Sequence, residues 1–207
     1  MITRDIKRYL KKLFNIGFLN TIRQVYNNKR FDKVREIDTM SVVYNNRMDY
    51  FNKDSYMYMT IEENLFLAIC QKIGSEFKTH FIDYGSGKGK VLIMAKEFGF
   101  KQVVGIELSE FLFKVSKNNV NKLNYSDITV LNKDARLYDL PINAKTLFLY
   151  NPFSGVVLDA VLSQILDYHK IHNQKLLLIY VNPMYSEIFE ARKIKKIDEL
   201  TYLDNKA

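Results

Sequence analysis

The chain is poor in the residues that build covalent or metal scaffolds. Its one cysteine, Cys70, excludes an internal disulfide and a Cys-rich zinc site, and it reads as a buried helix residue in a reducing compartment. The three histidines, His80, His169 and His172, form no metal-ligand pattern on their own, so no metal is expected. No apolar run approaches the roughly 20 residues needed to span a bilayer. The N-terminus has Lys and Arg but no uninterrupted apolar core behind them, so there is no signal-peptide pattern and a cytoplasmic location is expected. Proline occurs only three times, at Pro141, Pro152 and Pro183. Each stands beside an apolar run and punctuates it. The eight glycines are unevenly placed, for Gly85, Gly87 and Gly89 fall within five residues.

Acidic residues are scarce at one end. The net charge of +8 over 207 residues is concentrated in residues 1–30, where eight Lys or Arg face Asp5 alone. Attraction to phosphate or to an anionic membrane surface therefore resides in that stretch, and the remainder is close to neutral. Sequence-specific nucleic-acid binding is not expected. Ile2, Ile6, Tyr9, Leu10 and Leu13 fall on one helical face opposite Arg4, Lys7, Arg8, Lys11 and Lys12. Gly17 interrupts this pattern, and Phe18, Leu19, Ile22, Val25 and Tyr26 continue a second apolar stripe. Three readings fit: a membrane-surface helix, a basic face for a phosphorylated substrate, or a helix packed on the domain with a solvated basic face. Asn27-Asn28 reads as a turn. The following stretch to residue 55 is rich in aromatics (Tyr44, Tyr50, Phe51) and suits either a lid or a helical cap.

From residue 56 the pattern alternates strand and helix, which makes this an α/β chain with a doubly wound, mostly parallel sheet. The division is residues 1–55 as a basic helical extension and 56–207 as the main domain. Thr60-Ile61-Glu62-Glu63 reads as a capping box opening a helix that Gly74 ends. Phe81 and Ile82 form a buried strand ended by Asp83. The glycine loop follows, and then a helix carrying Val91, Leu92, Met94, Ala95 and Phe98. Val103, Val104 and Ile106 make the second strand, closed by Glu107. Ser109 caps a helix through Leu123, and Ile128, Val130 and Leu131 make strand three. Thr146 to Tyr150 is a continuous apolar run, as a central parallel strand requires. Ser154 is a cap for the next helix, and Leu176 to Val181 is strand five. Ile194 to Tyr202 has room for one more strand.

Glycine permits positive φ and lets backbone approach a ligand without a Cβ in the way. A helix starting at such a loop aims its unpaired N–H groups at the same place. A carboxylate about twenty residues further on, at the end of the neighbouring strand, suits the vicinal hydroxyls of a ribose. A dinucleotide fingerprint would need its third glycine at Lys90, and a phosphate-binding P-loop would need Ser or Thr after Gly-Lys. Neither condition is met, so Lys88 and Lys90 read as solvated residues at a helix start.

The run Asp83-Tyr84-Gly85-Ser86-Gly87-Lys88-Gly89 resembles motif I of the class I S-adenosylmethionine (AdoMet) methyltransferases, over roughly residues 55 to 190. The resemblance implies a Rossmann-like methyltransferase fold with AdoMet as cofactor. It implies that the loop passes under the methionine and ribose, with Glu107 and Leu108 at the ribose end of the cofactor. Asp134 and Ala135 would then lie near the adenine, with a loop aspartate as the lesser reading of Asp134. Thr60 would lie near the amino-acid end of AdoMet, although capping alone also explains it. Asn151-Pro152-Phe153 is similar to the substrate-side motif and implies the catalytic group. It lacks the second proline of adenine N6 enzymes and is closer to the Asn-Pro-Phe form of small bacterial enzymes. Asn151 favours an amine nitrogen as methyl acceptor; oxygen on a sugar or glycan is the alternative. A non-catalytic nucleoside-binding scaffold is another. Too few residues remain for the family's usual final hairpin, so a shortened C-terminal edge is expected.

Overall fold

The computed structural model of the chain describes residues 18–40, 60–150, 152–202 and 205–206. The element order is helix α1 (Phe18–Arg35), α2 (Glu63–Gln71), strand β1 (His80–Tyr84), α3 (Lys90–Phe98), β2 (Gln102–Glu107) and α4 (Glu110–Lys122). There follow β3 (Ile128–Asn132), β4 (Thr146–Tyr150), α5 (Gly155–His172), β5 (Leu177–Val181), α6 (Ser186–Ala191) and the short β6 (Thr201–Tyr202) and β7 (Asn205–Lys206). The main sheet has five strands in the order β3-β2-β1-β4-β5, every neighbouring pair parallel. Asp83 registers with Gly105, and Tyr84 with both Ile106 and Leu149. Strand order reverses between β1 and β4, and a crevice opens at the carboxyl ends of strands at such a point.

Both faces of the sheet are covered, because central parallel strands bury side chains on either side. One face holds Phe66 and Cys70 of α2, Leu92 and Ile93 of α3, and Phe81 and Phe148 of the sheet. Phe66 meets the rings of Phe81 and Phe148 edge-on, with centroids 6.1 and 5.9 Å away. The opposite face holds Leu147 and Leu149 against Leu158, Val161 and Leu162 of α5. Among the described residues no helix is long and apolar enough to cross a membrane.

The N-terminal segment differs from its sequence pattern. Asn27-Asn28 is no turn: α1 runs through it to Arg35. The face it buries is Gln24, Asn28 and Phe31, while Ile22 and Tyr26 are exposed. The apolar stripe therefore does not choose the inward face. Polar side chains turn inward because Asn28 accepts a hydrogen bond from Lys90, and Arg35 pairs with Glu97 of α3 through two contacts of 2.8 and 2.7 Å. The amphipathic pattern of residues 1–13 and the aromatics Tyr44, Tyr50 and Phe51 lie outside the described residues.

Two helix-boundary expectations also change. Helix α2 starts at Glu63, and its cap residue Glu62 makes no side-chain capping bond, so Thr60 opens no capping box. Ile61 is buried and its carbonyl accepts from Lys90 Nζ, which keeps residues 60–62 outside the helix. Lys72, rather than Gly74, caps the end of α2, and Gly74 precedes a single 3₁₀ turn at Ser75–Phe77. At the C-terminus β6 pairs only with β7, in a separate antiparallel pair. The Ile194–Tyr202 segment therefore adds no strand to the main sheet, and β5 is its last strand among the described residues.

Candidate active site

The carboxyl ends of β1, β2 and β4 bring the motifs of the sequence together. All three loop glycines are left-handed: Gly85 at φ 78°, Gly87 at 56° and Gly89 at 83°. The loop is fixed by its backbone. Gly85 and Ser86 both donate their N–H to the Ile106 carbonyl, at 2.9 and 3.0 Å, and Gly89 donates to Ser86. A Cβ on Gly85 would stand 2.5 Å from Cβ of Pro152. That close approach seats Pro152 on the head of the glycine loop, and only glycine at position 85 permits it.

Glu107 lies under the loop. Its Oε2 accepts from the Gly87 N–H at 2.8 Å and its Oε1 from the Ser109 N–H at 2.9 Å. Burial pushes its carboxyl above the usual range, and these backbone donors pull it partly back. Asp83 is buried too, and desolvation first, then the neighbouring Glu107 charge, raises it well above an ordinary aspartate. Two adjacent carboxylates out of water favour a ligand that brings hydroxyl donors and positive charge.

The remaining positions divide by what their side chains touch. Tyr84 is a core residue, edge-on to Tyr138 at 6.3 Å, so only its backbone faces the loop. Ser86 is buried with its hydroxyl over Gly105, where any Cβ would collide with it. Leu108 is 40% exposed at the end of β2, an apolar surface beside Glu107. Asp134 caps the 3₁₀ turn Ala135–Leu137 and accepts from its own neighbour Arg136, through the backbone N–H at 2.9 Å and Nη2 at 2.6 Å. The Arg136 guanidinium holds this carboxyl below the usual range. Ala135 is buried. Thr60 is half-buried, and its hydroxyl donates to the Ile61 carbonyl at 3.5 Å. Phe153 packs against the α5-side core. Asn151 lies outside the described residues. Among the described residues no group of His, Cys, Asp and Glu is placed to hold a metal ion.

Three contributors escaped the sequence reading. Asn132 Nδ2 donates to the carbonyls of Glu107 and Leu108, both at 2.9 Å, and so fixes the turn that carries the acid. Its register opposite Glu107 is the signal that pairing, not sequence, supplies. Lys88 and Lys90 are the other two, and the expectation that they are solvated is wrong: they are 1% and 2% exposed. Gly89 between them is left-handed, and the two side chains leave the loop in different directions. Lys88 Nζ pairs with Asp38 at 3.1 Å, and Lys90 Nζ donates to Asn28 Oδ1 at 2.5 Å and the Ile61 carbonyl at 2.9 Å.

These residues fit AdoMet. The buried carboxylates Asp83 and Glu107 complement its cationic centres and ribose hydroxyls, and each Glu107 oxygen keeps a lone pair beyond its backbone bond.

The family model for histone methylation protein DOT1 matches residues 38–145. No curated protein matches the chain. Solved structures resemble it in fold. A precorrin-6y C5,15-methyltransferase from Geobacter metallireducens GS-15 is 14% identical with a TM-score of 0.53, over 67% of this chain and 72% of that one. A ribosomal protein L11 methylase from Lactobacillus delbrueckii subsp. bulgaricus is 15% identical with a TM-score of 0.52, over 70% and 72%. The StiE O-MT segment 942–1257 is 16% identical with a TM-score of 0.52, over 67% of this chain, which spans only 53% of that one.

Proposed function

We propose that this chain, which belongs to the DOT1 family of AdoMet-dependent methyltransferases, methylates an amine nitrogen of a protein side chain or a small molecule. The observation that supports the reading is the seat of Pro152, the middle residue of Asn-Pro-Phe, on Gly85 of the glycine loop. AdoMet supplies a methyl group already activated on a sulfonium, so the protein's task is to hold a nucleophile in line with it. In this reading the side-chain carbonyl of Asn151 and the backbone carbonyl of Pro152 accept hydrogen bonds from the amine and aim its lone pair. Phe153 offers a ring face to the acceptor or the sulfonium, where a cation is favoured. Glu107 and Asp83 bind and orient the cofactor, with Leu108 at its ribose end and Ala135 beside its base.

We place the chain with the small bacterial enzymes of the Asn-Pro-Phe type, working in the cytoplasm. Residues 1–30 then serve an anionic membrane surface or a phosphorylated acceptor. The family description, histone methylation protein, makes an amine side chain of a basic protein such as a histone the first acceptor to try. The test is transfer of labelled methyl from AdoMet to lysine-rich proteins and to small amines, with wild type and Asn151→Ala. Label on nitrogen that falls at least a hundredfold in the variant supports the reading. Label on sugar or glycan oxygen, or transfer indifferent to Asn151, removes it.

A further inference from the structure

Lysine at the start of a helix next to a nucleoside loop is a costly choice. A positive charge in the first turn opposes the helix dipole, and burying an ammonium costs several kcal/mol unless its donors are satisfied. Lys90, the first residue of α3, bears both costs, and Lys88, one residue before the cap Gly89, bears the second. A glycine loop needs neither, since its contacts to Ile106 and Glu107 are all made by backbone N–H groups.

What the two lysines hold is the chain upstream. Lys90 Nζ lies 5.0 Å over the ring of Phe31, bonded to Asn28 of α1 on one side and to the Ile61 carbonyl on the other. Lys88 Nζ meets both Asp38 oxygens, at 3.2 and 3.1 Å. Asn119 of α4 doubles that link: its Nδ2 donates to the carbonyls of Lys88 and Asp38, at 3.0 and 2.8 Å, while its Oδ1 accepts from the Asp38 N–H at 3.1 Å. Thr39 and Met40 are fixed in turn by Asp32 of α1, which accepts from both backbone N–H groups. The glycine loop is thereby bonded to α1, to residue 38 and to residue 61 at once.

We propose that Lys88 and Lys90 are positioning residues of the cofactor site, which tie the shape of the glycine loop to the segment Phe18–Thr39 and so make AdoMet affinity depend on that segment. The coupling is reciprocal: a cofactor that selects the loop's bonded shape also tightens the bonds to Asn28 and Asp38. The inference rests on the AdoMet reading of the site.

The test uses the full chain. AdoMet titration calorimetry and backbone hydrogen exchange, with and without AdoMet, are run on wild type, Lys90→Met, Asn28→Leu and Asp38→Asn. Asp38 is half exposed, so its variant keeps the fold testable if the buried ones do not accumulate. The expected result is AdoMet binding at least tenfold weaker for Lys90→Met and Asn28→Leu, and at least threefold weaker for Asp38→Asn. AdoMet should slow exchange of the α1 amides in wild type and leave them unchanged in Lys90→Met, a ligand-dependent effect that loss of scaffolding alone would not remove. Folded variants that bind within twofold of wild type, with α1 protected equally, overturn the proposal while leaving the AdoMet reading intact. Absence of binding by wild type itself overturns that reading, and the proposal with it.

Discussion

Replacing Lys90 with methionine should change how the stability of the fold depends on pH. The ammonium is buried, and its bonded partners are an amide, a carbonyl and a ring face rather than a carboxylate. Desolvation is the largest influence and lowers its pKa from 10.5 to about 8. The charges of Asp32, Glu63 and Glu62 pull the other way, and Arg35 adds to the lowering. Below pH 8 the folded state carries a buried charge that the unfolded chain holds in water. Above 10.5 both states are neutral and that cost is gone. Stability contributed at this position therefore rises as pH increases through the window from 8 to 10.5. At about 1.4 kcal/mol per pKa unit the rise is about 3 kcal/mol. Methionine has a similar length and no charge. It leaves Asn28 Oδ1 without the Lys90 donor and the Ile61 carbonyl with only the long bond from Thr60, at about 1–3 kcal/mol, but that loss is the same at every pH. Urea unfolding of both proteins between pH 7 and 10.5 measures the difference. Wild type should gain about 3 kcal/mol on the variant across the range; curves that stay parallel would refute a buried, charge-bearing Lys90.

Gly85→Ala forces a Cβ against Pro152 at a left-handed φ, and AdoMet affinity by calorimetry should fall at least tenfold. Glu107→Ala removes the acceptor for the Gly87 and Ser109 N–H groups, and should weaken AdoMet binding at least tenfold and lower the melting temperature together. The raised carboxyl of Asp83 should ionise more readily beside a cation, so AdoMet affinity should fall as pH drops from 7.5 to 5. Titrations in buffers of different ionisation enthalpy should then show proton release for wild type and less for Asp83→Asn. Phe66→Ala empties a fully buried site between Phe81 and Phe148 and should cost about 3–5 kcal/mol in chemical unfolding.

The five sheet strands were legible because each is a short apolar run with a stop residue at its end: Asp83, Glu107 and Pro183 mark three of them. The glycine loop was legible because left-handed φ leaves few other residue types. The start of helix α1 was legible as the stripe from Phe18 to Tyr26, but its run past Asn27-Asn28 and its inward face were not, because that face is chosen by bonds to residues far along the chain. Nothing local in Gln24 or Asn28 announces that Lys90 will reach one of them. For the same reason the lysines read as solvated: charge predicts exposure unless the partner is known, and both partners stand more than 25 positions away. The start of α2 failed where a local capping pattern competed with a long-range bond to the Ile61 carbonyl, and the long-range bond prevailed. Asp134 stands after β3 as its spacing implied, but its engagement with Arg136 depends on the 3₁₀ turn, which spacing alone does not reveal.

The packing of Phe31 and Ile37 into the same core as the sheet bears on how the protein can be shortened. A fragment trimmed to begin at residue 56 would discard both side chains, strip Asn28 and Asp38 from two ammonium groups, and open the back of the nucleoside loop to water. Such a piece should come out of expression less soluble and more easily digested than the whole, however complete its motifs look on paper.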